Sequence, residues 1–468
     1  MLCLKHEKQK TREGFSSSIG VIAAVLGSAV GLGNIWKFPY VTGANGGAAF
    51  ILIYLLCLAL VGLPVMLSEH LIGRNTKANA VGAFKVLQPR KPWFLVGGAG
   101  VLSAFLIMAF YTSVAGWIYA YIFKAASGSL LSTNPQETSL VFKTLVSGVG
   151  EPLFWQVVVL LVTGTIIMAG VTKGIERVTK VLMPLLFVLL IVIDIRSLTL
   201  PGAAEGLSFL FKPDFSKITV SVVLAALGLA FFKLSVGMGA MITYGSYVGE
   251  NENLPKMALK VALSDTLVSL MAGIAIFPAV FAFGFEPDAG PPLLFITIPT
   301  VFSSMPFGGV FMVLFFVLTA IAATGAMLSL LEVPVAYLTE QHHWSRRNAT
   351  LLTILGIGLL GSTATLSNSI LANITLFGKN FFDFYDFTTS NVLLPLGGIF
   401  IALFVGWQWG QSNVYQEISN NGQIANKGLA RIFLILVRYV VPVGIILVLL
   451  AGLNINIIGF LLKLLGIV

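Results

Sequence analysis

Residues 27–34 read GSAVGLGN, and residues 231–240 read FFKLSVGMGA. Each stretch sets a Gly-x-Gly, Gly31/Gly33 in one and Gly237/Gly239 in the other, in the middle of an apolar run. Glycine weakens a helix by about 1 kcal/mol relative to alanine, so each run reads as a helix with a soft centre. Close packing through small residues would explain one such run. Two of them, five apolar runs apart, point to a five-helix unit used twice, each copy opening on a broken helix. At such breaks, unpaired N–H groups hold anions and freed carbonyls hold cations, and carriers of inverted-repeat design build their binding sites there.

The rest of the chain supports this reading. Of its 468 residues, 57% are hydrophobic and only 10% charged, against about 25% charged in a soluble domain. A soluble enzyme, a disordered chain and a secreted disulfide scaffold are excluded, which leaves an all-α polytopic membrane protein. A span needs about 20 mostly apolar residues. Eleven runs qualify, near 16–42, 47–72, 93–124, 153–171, 177–196, 219–248, 259–284, 306–338, 350–366, 390–409 and 431–453. A last stretch, 454–468, is too short to span and is expected at the membrane interface. The first run is too long and glycine-rich for a cleaved signal and lacks a small-residue cleavage site. Cys3 lies in a polar tail and Cys57 in an apolar run, so no disulfide is expected.

The net charge of +9 is unevenly placed. With the N-terminus inside, 18 of the 28 Lys and Arg fall in cytoplasmic segments and seven outside, while Lys37, Lys233 and Arg438 lie within spans. The bias predicts a cytoplasmic N-terminus and an external C-terminus. It also accounts for the charge without a nucleic-acid partner. No HExxH, GxSxG or CxxC is present, and no ring of repeated polar residues suggests a channel.

GSAVGLGNIWKFPY (27–40), the NGG of 45–47, GIERVTKVLMP (174–184) and FFKLSVGMGAMITYGSY (231–247) together resemble the neurotransmitter:sodium symporters, most closely their eleven-helix bacterial amino-acid branch. The resemblance covers nearly the whole chain. It implies an inverted pair of five-helix repeats, 15–200 and 201–410, after a tail (1–14) and before a further helix with a short interfacial tail (411–468). It implies a secondary transporter in the plasma membrane, in a bacterium the inner membrane. Such a protein would move a small amino acid by alternating access, with Na⁺ as coupling ion and no other cofactor. A homodimer is compatible with it.

By the same resemblance, the substrate wall is Ala29, Leu32, Gly33, Ile107, Tyr111, Phe232, Ser235, Met238 and Leu330. The chemistry agrees. Amides near Leu32 and Gly33 suit a carboxylate, the Tyr111 hydroxyl offers a donor, and Ile107, Phe232, Met238 and Leu330 make an apolar pocket. Monoamine carriers place an acid where this chain has Gly31, so an amino acid with its own carboxylate is expected.

The chain departs from the family at its ions. The first sodium site is expected at Ala29, Asn34 and Asp265, but Lys233 stands where relatives have Thr. A lysine at mid-membrane costs about 2.5–3.5 kcal/mol on insertion scales, so it must be paired or solvated. One reading has it beside Asp265 in the ion's place, meeting the substrate carboxylate; the other has it snorkel into a vestibule. The second site is expected at Gly27, Val30 and Ala322, with Gly325 and Ala326 where relatives carry hydroxyls and Thr324 one place early. Losing two of five oxygen ligands weakens a hard-cation site. A sodium-independent or proton-coupled carrier or exchanger, and a transport-dead amino-acid sensor, therefore stay open. Ser269 leaves chloride dependence open.

The resemblance also implies an outer gate of Lys37 with Asp386 over Tyr111 and Phe232, and an inner pair of Arg12 with Glu340. Lysine lacks the bidentate fork of arginine, so the outer latch should be looser. Gly174 and Pro184 match a spacing with which relatives unwind their fifth helix. Glu69 and Glu332 are intramembrane carboxylates, read either as functional or as bracing.

Overall fold

The computed structural model describes residues 13–285 and 293–455. Arg12 and the stretch from residue 456 on lie outside them, as does Cys3. Among the described residues the protein is all-helical, apart from one isolated bridge between Leu376 and Lys379.

The first span is α1 (Ser18–Ala29) and α2 (Gly33–Ala44), bent by 53° at the break. Ser17 starts α1 by accepting from the Gly20 amide at 3.1 Å, a side-chain cap. Then follow α3 (Ala48–Thr76), the short α4 (Ala80–Leu87), α5 (Phe94–Ala126), α6 (Pro135–Ser147), α7 (Gly150–Met168) and α8 (Val171–Leu198). A surface helix, α9 (Ala203–Phe211), leads into α10 (Val220–Lys233) and α11 (Ala240–Tyr247). These two are the halves of the other broken span. α12 (Leu254–Ala282), α13 (Thr297–Ser303), α14 (Gly308–Gln341), α15 (Arg346–Asn368), α16 (Phe381–Gln408), α17 (Gln411–Ile418) and α18 (Lys427–Gly452) complete the fold.

The second break shows why the glycines are needed. Ser235, Gly237 and Gly239 all have positive φ, at +53°, +82° and +75°, where a Cβ is strained. Ser235 is the non-glycine among them, and its hydroxyl donates to the Ser28 carbonyl at 2.8 Å, tying one break to the other. Gly237 is also crowded: a Cβ there would stand 2.5 Å from the Leu394 carbonyl. Its amide donates to Glu69 Oε1 at 2.6 Å, so a buried carboxylate holds the unwound backbone.

α1, α3, α11 and α12 pack as one group, and α5, α7, α14 and α15 as another, with α8 against α1, α12 and α14. α14 is the most enclosed span, 72% of its apolar window buried, and α18 the most peripheral at 33%. The two breaks lie between the groups.

The largest boundary difference from the hydropathy reading is in the tenth span. The tenth span begins at Phe381 rather than near 390. Its polar opening, FFDFYDFTTSN, is helical because Asn380 caps it, accepting from the Asp383 amide at 2.8 Å. Asp386 thus sits on a helix.

Candidate functional site

A cavity of about 40 Å³ lies where α1, α2, α5, α10, α11 and α14 meet. Its wall contains the nine residues expected there, Ala29, Leu32, Gly33, Ile107, Tyr111, Phe232, Ser235, Met238 and Leu330, together with Lys233. It adds Ser28, Gly31 and Ala326, which sequence reasoning left out of the pocket. Gly31 explains the last of these, since a Cβ on it would come within 3.0 Å of the Ala326 methyl and 3.2 Å of the Tyr111 hydroxyl. Where the first helix breaks, the Leu32 amide donates to the Tyr111 hydroxyl at 3.1 Å. That hydroxyl keeps its own proton for a second partner. A larger hollow of about 770 Å³ lies far along the chain, between Tyr415 and Arg431, away from both breaks.

Lys233 ends α10, and its stem and head do different things. The stem lines the cavity, its Cγ 3.4 Å from where a Cβ on Gly33 would be. The ammonium turns away toward α3 and α12. Its Nζ stands 3.0 Å from Asp265 Oδ2, donates to the Tyr54 hydroxyl at 3.0 Å and to the Ser269 hydroxyl. The rings of Phe38 and Tyr54 lie 4.9 and 5.0 Å from it. Asn34 completes the cluster. Its Nδ2 donates to Asp265 Oδ1 at 2.6 Å, to the Asp265 carbonyl at 3.0 Å and to Ser269 Oγ at 3.0 Å. Its Oδ1 accepts from the Gly31 amide at 3.2 Å.

Both charged side chains are fully buried. A buried ion pair holds only with good geometry and further hydrogen bonds for its remaining atoms, and Tyr54, Ser269 and Asn34 supply them. The vestibule reading of Lys233 is thus not what the geometry has. The ammonium faces the carboxylate, and the asparagine turns its Nδ2 donor to it. Tyr54 and Phe38 were missed by sequence reasoning, since an aromatic in an apolar run carries no local signal.

Of the residues expected at a second ion site, Gly27 and Gly325 meet. Gly27 and Val30 lie at the end of α1, with Ala322, Gly325 and Ala326 in the buried middle of α14. No hydroxyl is present at 325 or 326, and Thr324 does not replace them. Its hydroxyl donates to the Ala320 carbonyl at 2.7 Å and meets the Tyr119 hydroxyl at 2.8 Å, facing α5.

At the expected outer gate, Lys37 and Asp386 form no ion pair within 4 Å among the described residues. The Lys37 ammonium lies 4.0 Å from the centre of the Phe232 ring, while Asp386 accepts from the Ser390 hydroxyl at 2.8 Å. A point charge on a flexible stem can choose the ring.

On the opposite side, Glu340 accepts from the Asn79 backbone amide at 2.8 Å and from its side chain at 2.9 Å; its expected partner Arg12 is outside the described residues. A second carboxylate there is paired: Glu332 holds Arg346 at 2.5 Å and accepts from the Tyr247 hydroxyl at 2.6 Å. Arg346 counts only as a loop cation in the sequence. Glu176 accepts from the Ser16 amide and hydroxyl, both at 2.7 Å, and fastens the start of α1 to α8. Gly174 is required by proximity, because a Cβ there would stand 2.0 Å from the Ile166 carbonyl. α8 is wound from Val171 through Pro184 to Leu198.

A model of the sodium:neurotransmitter symporter family matches residues 12–139 and 136–457. The chain is 43% identical over 447 residues to YhdH of Bacillus subtilis (strain 168), described as an uncharacterized sodium-dependent transporter, covering 96% of this chain and 98% of that one. It is 38% identical over 455 residues to an uncharacterized sodium-dependent transporter of Haemophilus influenzae, covering 95% and 99%. Among solved structures it is similar to the crystal structure of MhsT in complex with L-phenylalanine, with a TM-score of 0.86, 46% identity, and coverage of 94% and 100%.

Proposed function

The chain belongs to the sodium:neurotransmitter symporter family and is a membrane transporter rather than an enzyme; on that premise we propose that it carries a small amino acid by alternating access, with the Lys233 ammonium standing where sodium-dependent relatives bind their first cation. The observation that carries this is the buried Lys233–Asp265 contact at 3.0 Å, beside the break in the first helix.

The residues divide the work. The amide end of α2 and the Tyr111 hydroxyl suit a carboxylate. Ile107, Met238, Phe232 and Leu330 suit an apolar side chain. Gly31 supplies no acid to pair an amine, which favours a substrate that brings its own carboxylate, and a similar structure holds L-phenylalanine. A fixed positive charge near the amides does electrostatically what a bound cation does, and it never leaves. Sodium is the coupling ion of the family; in this chain the first site has no need of it. The breaks at 30–32 and 234–239 are the natural hinges, with Phe232 as a lid. The excess of cations in one set of loops supports a cytoplasmic N-terminus.

The test is uptake of labelled neutral amino acids into proteoliposomes, with sodium or choline outside and with or without a pH gradient. Uptake that is equal in sodium and choline supports the proposal. Uptake that strictly requires sodium overturns the role given to Lys233. Binding without turnover overturns the carrier and leaves a sensor.

A further inference from the structure

The second cation position differs from its expected form in more than lacking two hydroxyls. Gly325 sits so close to α1 that a Cβ on it would stand 2.7 Å from the Gly27 carbonyl oxygen and 3.4 Å from Gly27 Cα. One turn on, a Cβ on Gly31 would come within 3.0 Å of the Ala326 methyl. Two oxygens sharing one hard cation at about 2.3–2.6 Å each stand about 3.3–5 Å apart. That bridge needs a side-chain oxygen on α14, and here the gap does not admit even a methyl group.

The neighbouring hydroxyls are committed elsewhere. Thr324 faces Tyr119. Ser329 donates to the Ala326 carbonyl at 2.8 Å and accepts from the Ser28 hydroxyl at 2.7 Å. Ser28 in turn receives the Ser235 hydroxyl on its carbonyl. α1, α14 and the break before α11 are thus pinned directly to one another.

We propose that the Gly27–Gly325 backbone contact, with the Ser28–Ser329 hydrogen bond, latches α1 to α14 in place of a second cation, so that no sodium ion is needed or admitted between these helices. This deepens the carrier reading of the same site but is tested on the protein without substrate, so a failure of one is told from a failure of the other.

The experiment is hydrogen–deuterium exchange across α1 in the full-length protein in nanodiscs, at equal ionic strength in sodium or choline. Wild type should show the same protection of residues 18–29 in both salts. Gly325→Ala should raise exchange there several-fold in both, by pushing the helices apart. Ser329→Ala, which adds no bulk, should raise it more modestly and serves if the first variant does not fold. Gly325→Ser with Ala326→Ser restores both hydroxyls and should still show no sodium response. Sodium-dependent protection in wild type or in the double variant would overturn the latch, as would unchanged exchange in both Gly325→Ala and Ser329→Ala.

Discussion

Lys37 rests its ammonium 4.0 Å from the centre of the Phe232 ring, while Asp386, its expected partner, accepts from Ser390 instead. The cation therefore sits on a ring that lines the cavity. A desolvated cation–π contact is worth about 2 kcal/mol, or about 30-fold in an equilibrium. Lys37→Met should speed loss of bound amino acid up to about 30-fold, and Asp386→Asn should change it little. Dissociation of labelled substrate from the two variants checks this, and an equal effect of both would return the latch to the Lys37–Asp386 pair.

The Lys233–Asp265 pair should behave as a unit. Removing one partner leaves a buried, unpaired charge, at a cost of about 3–5 kcal/mol. Lys233→Met and Asp265→Asn should each lower the melting temperature of the purified protein sharply, and the double variant should lose much less than their sum. Additive losses would mean that the two groups are not coupled.

Glu69 is predicted to act as a backbone cap. It accepts the Gly237 amide at 2.6 Å inside the break. Glu69→Ala should cost about 1–3 kcal/mol, the penalty for a buried donor left unmade. Glu69→Gln keeps an acceptor oxygen and should lose less than half of that. Denaturant unfolding in detergent separates the two variants; equal losses would point to the charge rather than the hydrogen bond.

Glu332, Arg346 and Tyr247 form one network that joins α14, α15 and α11. Arg346→Met should strand the Glu332 carboxylate and speed hydrogen exchange in α11, which carries Tyr247. Unchanged exchange in α11 would show that the network does not hold that half-helix.

Local features were legible in the residues. The breaks at Gly31/Gly33 and Gly237/Gly239 are visible because a missing Cβ is a property of the chain itself. The nine residues expected in a pocket wall, and Lys233 with them, line one cavity. The start of α16 was not legible, because hydropathy treats FFDFYDFTTSN as loop while one side-chain cap from Asn380 makes it helix. Nor was Arg346, which reads as a loop cation and is drawn to Glu332 across a helical junction.

The sequence by itself determined that this is a helical membrane protein with two broken spans, that a lysine sits in the second, and that hydroxyls are missing at Gly325 and Ala326. These follow from run length, from backbone freedom at glycine and from which atoms a side chain possesses. Only the tertiary structure decided where those atoms go. A lysine stem reaches in many directions, and the packing of α3, α10 and α12 sends Lys233 to Asp265, Tyr54 and Ser269. The distance between α1 and α14 is likewise set by packing along both helices. That distance, rather than the missing hydroxyls alone, brings the Gly27 carbonyl against Gly325.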